Sequence, residues 1–372
     1  MSRIGSYICR VAWPAIRVAG DYLNRKVPFC NQPWNTMYIQ WNGEMVMPCC
    51  YGPHDLGDIN CQSIAEIWNG KPYRTLRKQI CEGKAQGSCI PCYQKERFYA
   101  DHITPFLSYV LKRKKGNNFR KTCMNCFRHN ECIDNSPYVL YLDLSSICNL
   151  RCRKCYVYSQ EGPLHLGHMS MDIFEKIAPL LKDVLFVVCT GIGESMLNPS
   201  FIDILSLIKE NECILSFNTN GLLLDEKKAL RMVELGVDEI VFSIDSIDPD
   251  LYGYHHRGGK FDTLIRNIKR LDSIKKAFPS KKPRLAWYFV AMKSNIGELS
   301  KIVAKATHLG FSAIQVAPLL STKQGQRQEY IDFYDQENLE KPADKDRFLN
   351  ELRAAAQVAM HSGIDLKSYC LL

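Results

Sequence analysis

The chain has 372 residues, is 46% hydrophobic and 23% charged, and has a formal net charge of +9. At about 150 residues per domain, this length predicts two or three domains, and the composition excludes disorder or a coiled coil as the structure of the whole chain. No apolar run reaches the roughly 18 to 20 residues of a membrane span, and Arg10 and Arg17 interrupt the segment where a signal peptide would be apolar, so we expect a cytoplasmic protein.

The cysteines are concentrated in the first half of the chain. Of the 17 present, 13 lie between Cys30 and Cys155. A disulfide scaffold predicts a short secreted chain with an even number of cysteines, and this chain meets neither condition. Metal or iron–sulfur ligation is therefore the better interpretation.

The first predicted elements are an amphipathic helix within residues 1–27 and a β-hairpin. Asn42-Gly43 lies between two apolar runs, which is the strongest short-range hairpin signal. The hairpin would bring Cys49 back toward Cys30. Two short helices separated by a turn follow it.

We assign residues 1–100 to a small cysteine-rich module and residues 101–136 to a basic linker with a second group of cysteines. The linker contains the only dense cluster of charge, which we interpret as a solvated face rather than a patch for an acidic partner or a nucleic acid. Its members are Lys112, Arg113, Lys114, Lys115, Arg120 and Lys121.

Residues 137–372 alternate between apolar strands and amphipathic helices. Predicted strands cover 138–144, 184–189, 214–217, 239–244, 285–291 and 313–317. Predicted helices cover 171–182, 200–211, 225–235, 261–277, 297–309 and 342–362. Such alternation predicts an α/β fold with a parallel sheet and right-handed crossovers. Six units make a partial (β/α)6 TIM-like barrel, with the chemistry at the carboxyl ends of its strands.

A C-x3-C-x2-C motif formed by Cys148, Cys152 and Cys155 directly follows the first of these strands. Three thiolates so close in sequence can hold three irons of one cubane cluster and leave the fourth iron without a protein ligand. A zinc site would need a fourth ligand, for which His165 and His168 are the nearest candidates. The spacing therefore favours a [4Fe–4S] cluster with an open coordination position.

With this motif in this place, the chain resembles the radical S-adenosylmethionine (SAM) superfamily over about residues 137–320. The resemblance implies that Glu194 binds the amino group of SAM and Arg257 its carboxylate. Ile192 departs from the family, which usually has a glycine there. The full implied SAM-binding set is Tyr156, Gly191, Gly193, Glu194, Asn220, Ser243, Asp245, Arg257 and Val316.

The resemblance also implies the chemistry. The reduced cluster at Cys148, Cys152 and Cys155 would cleave SAM to methionine and a 5'-deoxyadenosyl radical, which removes a hydrogen atom from the substrate. Such a reaction needs an electron donor, for which a flavodoxin or a ferredoxin is expected.

The amino-terminal module resembles the SPASM domain, which binds auxiliary iron–sulfur clusters in many radical SAM enzymes, among them peptide maturases and sulfatase-maturating enzymes. It departs from the family in preceding the barrel, and in having five rather than four residues between Gly43 and Cys49. One implied set of four ligands is Cys30, Cys49, Cys89 and Cys92, with zinc as the alternative to a [4Fe–4S] cluster.

A second auxiliary cluster is implied by Cys123, Cys126 and Cys132, which match the C-x2-C-x5-C fragment of that domain. Position 136, where the family has its next ligand, is Ser136. The candidates to complete this set are Cys50, Cys61 and Cys81. We therefore expect one or two auxiliary clusters.

The end of the chain resembles the start of a carboxyl-terminal SPASM domain, with Cys370 as its first cysteine. We expect a rearranged enzyme in which the amino-terminal module replaces that domain. The leading functional hypothesis is modification of a peptide or protein side chain by cross-linking, dehydrogenation or epimerisation. Its alternatives are oxidation or epimerisation of a sugar or aminocyclitol, and a non-catalytic iron–sulfur or zinc scaffold.

Overall fold

The computed structural model describes residues 30–49, 55–84, 115–319 and 325–368. Several predictions concern residues outside these ranges and are not tested. They are the helix within 1–27 and the possible ligands Cys50, Cys89, Cys92 and Cys370.

The described chain forms two compact units. The first consists of residues up to Leu142 together with 169–188 and 210–214. The second consists of residues 143–168, 189–209 and those from 215 onward. The predicted domain boundaries at residues 100 and 136 stay predictions.

Within the described ranges, the first unit contains four strands and five helices. In chain order they are α1 (Gln32–Asn35), β1 (Thr36–Ile39), β2 (Val46–Met47), α2 (Ile64–Trp68), α3 (Lys71–Cys81), α4 (Gly116–Phe127), β3 (Val139–Leu142), α5 (Met171–Ile177) and β4 (Phe186–Cys189). Among the described residues, these strands are neighbours in the order β2-β1-β3-β4, and a 3-10 segment, Ala178–Lys182, directly follows α5.

The predicted hairpin is confirmed. Strands β1 and β2 pair antiparallel, with Tyr38 opposite Met47. Gly43 in the turn has φ of 74°, and a Cβ there would lie 2.7 Å from the Ile59 side chain. The sequence did not predict that β1 also pairs in parallel with β3, where Tyr38 lies opposite Tyr141. Parallel partners are far apart in the chain and leave no local pattern.

Arg77 of α3 is fully buried and fixes the segment that precedes Cys132. Its Nε donates to the Pro33 carbonyl at 2.9 Å, and its Nη2 donates to the Trp68 carbonyl at 2.8 Å. Its Nη1 donates to the Glu131 carbonyl at 2.9 Å. The guanidinium also lies 4.9 Å from the centre of the Trp68 ring, so one side chain joins three parts of the unit.

Further side chains bind the same segment. The indole of Trp68 donates to the Asn135 carbonyl at 2.7 Å, and the indole of Trp34 donates to the Asn130 carbonyl at 2.8 Å. The stretch that carries Cys132 is therefore packed against α1, α2 and α3, although its basic composition predicted a linker.

The interpretation of the basic cluster as a solvated face is wrong for Lys115. This residue is buried, and its ammonium donates to the carbonyls of Leu181 at 2.7 Å, Val184 at 2.6 Å and Asn211 at 2.7 Å. A lysine can leave water when its three hydrogens all find acceptors. The run of basic residues in the sequence gives no sign that three backbone carbonyls surround the ammonium of one of them.

The second unit alternates between strands and helices. In chain order its elements are α6 (Phe201–Glu210), β5 (Ile214–Thr219), α7 (Glu226–Glu234), β6 (Glu239–Ser243), α8 (Pro249–His255), α9 (Phe261–Lys276), β7 (Arg284–Ala291), α10 (Leu299–His308), β8 (Ala313–Pro318), α11 (Gln328–Glu337), α12 (Pro342–Ser362) and β9 (Asp365–Ser368). Strands β5 to β9 lie side by side in chain order, all parallel. Two 3-10 segments, Ser195–Leu197 and Ile296–Glu298, lie in the loops.

The predicted α/β fold with a parallel sheet is confirmed. Helix α9 shows why the helices could be predicted, because its buried apolar residues Leu264, Ile268 and Leu271 recur at helical spacing. Strand β9 was missed because this edge strand is polar and largely exposed, and it carries no apolar signal. Among the described helices, none combines the length and apolar character that crossing a bilayer requires.

Candidate active site

The site predicted from the C-x3-C-x2-C motif is a loop that follows β3, with its backbone held by local hydrogen bonds. The amide of Cys148 donates to the Tyr158 hydroxyl at 2.6 Å, and the amide of Cys155 donates to the Cys152 carbonyl at 3.0 Å. The Arg151 guanidinium lies 3.9 Å from the centre of the Tyr158 ring. Tyr158 thus holds the loop through its hydroxyl, which binds the Cys148 amide, and through its ring, which contacts Arg151.

A second segment of the same unit holds the loop from the other side. The amide of Arg151 donates to the Arg257 carbonyl at 3.0 Å, and the amide of Arg153 donates to the His255 carbonyl at 2.9 Å. These two bonds flank Cys152, so the middle cysteine of the loop has the 255–257 segment directly beside it.

Burial keeps two of the three thiols protonated in the absence of a metal. It raises the pKa of Cys148 to about 11 and that of Cys152 to about 12. A metal must therefore displace protons when it binds. The described residues contain no three His, Cys, Asp or Glu side chains gathered around one metal position. The donor set itself, three thiols on one short loop, is the set that iron–sulfur clusters use.

The glycine-rich loop after β4 runs against the cysteine loop. A Cβ on Gly193 would lie 2.4 Å from the Ser145 carbonyl oxygen and 2.5 Å from that of Ile147. A Cβ on Gly191 would lie 1.7 Å from Asp143 Oδ1. Only glycine allows this approach at both positions. Ile192, the departure from the family, lies between them.

Glu194 is buried beneath this loop and already accepts hydrogen bonds. Its Oε2 accepts from the Asn220 amide at 2.8 Å, and its Oε1 accepts from the Thr219 hydroxyl at 2.9 Å. Burial raises the pKa of Glu194 to about 7. The side-chain amide of Asn220 in turn lies 4.0 Å from Cys148 Sγ. The structure therefore brings Glu194, Asn220 and the first cysteine together.

Asp245 follows β6 and is fully buried, with partners of its own. It forms an ion pair with Lys154, and the Nε2 of His256 lies 2.9 Å from Asp245 Oδ2. Its Oδ1 accepts from the Val290 amide at 3.0 Å. The carboxylate predicted to bind SAM thus anchors side chains next to Cys152.

The remaining predicted site residues are more scattered. Ser243 is the last residue of β6, and Val316 is fully buried inside β8. Tyr156 is exposed. Arg257 is half-buried and pairs with exposed Glu329 of α11. A carboxylate ligand of Arg257 would compete with this surface ion pair, whose strength is about 1 kcal/mol or less.

Three side chains of the site were not predicted from the sequence, namely Asp143, Lys154 and His256. Asp143 is fully buried next to Gly191, and burial raises its pKa to about 7. Its place at the end of a predicted strand was a signal that could have been used. Lys154 and His256 gave no such signal, because their roles depend on contacts with Asp245.

The described cysteines of the amino-terminal region are dispersed among different elements. Cys30 precedes α1 and Cys49 follows β2. Cys123 on α4 packs against the cluster of Phe119 and Tyr138, and burial raises its pKa to about 12. Cys126 lies at the end of the same helix and Cys132 is exposed. Their assignment as cluster ligands stays a prediction.

Two family models match the chain. Residues 142–277 match the radical SAM superfamily, and residues 30–93 match the SPASM iron–sulfur cluster-binding domain. The SPASM match precedes the radical SAM match, in the order expected from the sequence.

Curated relatives match parts of the chain. A tungsten-containing aldehyde ferredoxin oxidoreductase cofactor-modifying protein of Pyrococcus furiosus is 32% identical over 188 residues, which are 49% of this chain and 51% of that protein. A probable GTP 3',8-cyclase of Methanococcus maripaludis is 29% identical over 208 residues, 55% of this chain and 66% of the cyclase. The antilisterial bacteriocin subtilosin biosynthesis protein AlbA of Bacillus subtilis is 31% identical over 140 residues, 36% of this chain and 30% of AlbA. The chain thus spans about half the length of the first relative.

A solved structure shares the fold. The crystal structure of Streptococcus suis SuiB bound to its precursor peptide SuiA aligns with a TM-score of 0.52 and 16% identity, over 89% of this chain and 70% of SuiB. At this identity the similarity establishes the fold alone.

Proposed function

We propose that this chain, which belongs to the radical SAM superfamily and carries a SPASM domain ahead of its radical SAM domain, modifies a peptide or protein substrate. The observation that carries the proposal is the presence of both domains, because a fold of this kind holds a precursor peptide in SuiB and AlbA acts in bacteriocin biosynthesis. Enzymes of this superfamily use SAM and [4Fe–4S] clusters, and both domain matches support an enzyme rather than a purely structural scaffold.

We assign Cys148, Cys152 and Cys155 to the cluster that binds SAM. Such a cluster supplies the electron that cleaves SAM, and the cleavage provides the agent that removes a hydrogen atom from the substrate. The chain's own part is orientation. Tyr158 and the carbonyls of the 255–257 segment fix the cysteine loop, and Gly193 lets the neighbouring loop approach it.

We propose that the other residues predicted to bind SAM, among them Glu194 and Arg257, form the SAM site. Glu194 accepts from the Thr219 hydroxyl and the Met196 amide at Oε1 and from the Asn220 amide at Oε2, so Oε2 has one lone pair left to accept from the amino group of SAM. Arg257 can exchange Glu329 for the carboxylate of SAM. A cytoplasmic flavodoxin or ferredoxin is the proposed electron donor.

Replacing Gly193 by Ala is expected to weaken SAM binding at least tenfold, which is about 1.4 kcal/mol. The new Cβ would meet two backbone carbonyls, so the loop has to move away from the cysteines. Isothermal titration of the reconstituted protein with SAM measures the effect. Gly253→Ala is the matched control, because a Cβ at Gly253 meets nothing within 4 Å. Equal affinities in both variants would contradict the proposed role of the loop.

The peptide substrate is tested with synthetic peptides that copy short reading frames next to the gene. Reduced holoenzyme with SAM is expected to release more 5'-deoxyadenosine when the correct peptide is present. Mass spectrometry should show loss of two hydrogen atoms for a cross-link or dehydrogenation, or uptake of solvent deuterium for an epimerisation.

A second candidate is modification of a nucleotide or cofactor, which the names of two relatives favour. The same assay with GTP in place of peptide separates the two. Conversion of GTP with stoichiometric 5'-deoxyadenosine, and no change in any peptide, would replace the peptide proposal. The sugar or aminocyclitol alternative stays a prediction.

A further inference from the structure

The imidazole of His256 lies against the sulfur of the middle cysteine. Its Nδ1 is 3.4 Å from Cys152 Sγ, within hydrogen-bond distance for a sulfur acceptor. The contact follows from the backbone pairing on either side, in which Arg151 bonds to Arg257 and Arg153 bonds to His255. These two backbone hydrogen bonds therefore hold the histidine next to the cysteine.

The ring of His256 is held on two further sides. It stacks on Tyr252, with ring centres 4.7 Å apart and an interplanar angle of 19°. Its Nε2 lies 2.9 Å from Asp245 Oδ2. With 1% of its surface exposed, the imidazole has little freedom to turn away from Cys152.

The Asp245 carboxylate, which lies beside the ring, also has fixed partners. Asp245 is fully buried, which by itself raises the pKa of its carboxyl, but Lys154 and His256 outweigh burial and hold that pKa well below its usual range. Lys154 lies between two cysteines of the loop in sequence, and it forms an ion pair with the same carboxylate. One carboxylate therefore lies against both the Lys154 ammonium and the His256 ring, next to the cysteine loop.

The direction of this hydrogen bond follows from the chemistry of the cysteine. A metal-bound thiolate at Cys152 only accepts hydrogen bonds, so the Nδ1 that faces it is the donor.

We propose that His256, held against Asp245 and its ion-pair partner Lys154, is a positioning residue that donates a hydrogen bond to Cys152 Sγ and raises the reduction potential of the SAM-binding cluster. The proposal rests on the assignment of Cys148, Cys152 and Cys155 as ligands of that cluster. Hydrogen bonds and positive charge near cluster sulfurs stabilise the reduced form, which is the more negative one. The consequence is a cluster that a modest electron donor can reduce.

Two variants of the same shape separate the hydrogen bond from packing. His256→Asn keeps a donor near the position of Nδ1, whereas His256→Leu removes it. The readout is an EPR-monitored redox titration of the signal that shifts when SAM is added, which distinguishes this cluster from auxiliary ones. At a fixed poise, the Leu variant is expected to have a reduced-to-oxidised ratio at least tenfold lower than the wild type, a shift of about 59 mV for one electron. The Asn variant should retain most of the wild-type potential.

His361→Leu, at an exposed position on α12, is the control and should leave the potential unchanged. An unchanged potential in the Leu variant, or equal shifts in the Leu and Asn variants, overturns the proposal. If only the Leu variant fails to take up iron, the donor is required to retain the cluster, which supports it. If neither variant takes up iron, Lys154→Gln decides, because loss of that cation should also lower the potential and an unchanged value overturns the proposal.

The same titration keeps this inference separate from the proposed function. A wild-type signal that responds to SAM, together with an unchanged potential in the variants, would remove only the role of His256. A wild-type protein with no SAM-responsive signal would remove the cluster assignment, and the role of His256 with it.

Discussion

Protein in which Cys148, Cys152 and Cys155 are all replaced by Ala is expected to release no detectable 5'-deoxyadenosine from SAM under reducing, anaerobic conditions. The three thiols are the proposed ligands of the cluster that delivers the electron, and no other described cysteine lies on the same loop. Chromatography of the reaction mixture measures the product. Undiminished release by the triple variant would contradict the catalytic assignment.

Metal analysis of the same variant tests the amino-terminal domain. It should retain about four irons if one auxiliary cluster is present, or about eight if there are two. Stoichiometric zinc without iron would instead indicate a structural zinc site. Cys189→Ala serves as the control, since this fully buried cysteine at the end of β4 has no proposed role in ligation. It should keep both its iron and its activity.

Much of the second unit was predictable from the sequence because strands β6 to β8 are buried along most of their length. The run that predicted a strand at 285–291 forms β7, Arg284–Ala291, and the run at 313–317 forms β8, Ala313–Pro318. Continuous apolar runs bounded by amphipathic helices leave few other folds open. The cysteine motif was equally readable, since its three members lie within eight residues of one another.

The side chains that contact the cysteine motif could not be predicted from the sequence in the same way. The contact between Cys152 and His256 joins residues 104 positions apart in sequence. It exists only because two backbone hydrogen bonds set the register of the segments that carry them. Asp245 shows the limit of a motif, since its position at a strand end was predicted, but its contacts with Lys154 and His256 were not.

Arg77→Met is expected to lower the free energy of unfolding of the metal-free chain by about 3 kcal/mol or more. The buried guanidinium supplies donors to the carbonyls of Pro33, Trp68 and Glu131. Burial lowers the pKa of Arg77 only to about 10, so the group is still charged near neutral pH. Met fills similar space along the side-chain stem but leaves all three acceptors without this donor.

Urea denaturation followed by tryptophan fluorescence measures the loss, and the packing of Trp68 against Arg77 makes the signal sensitive to this region. Arg74→Met is the matched control, because Arg74 is exposed on the same helix and surface substitutions usually change stability by about 0.5 kcal/mol or less. Equal losses in the two variants would mean that water replaces the guanidinium at its acceptors. A large loss confined to Arg77 would instead show that this side chain holds the segment before Cys132 on α1, α2 and α3, whether or not a cluster is bound.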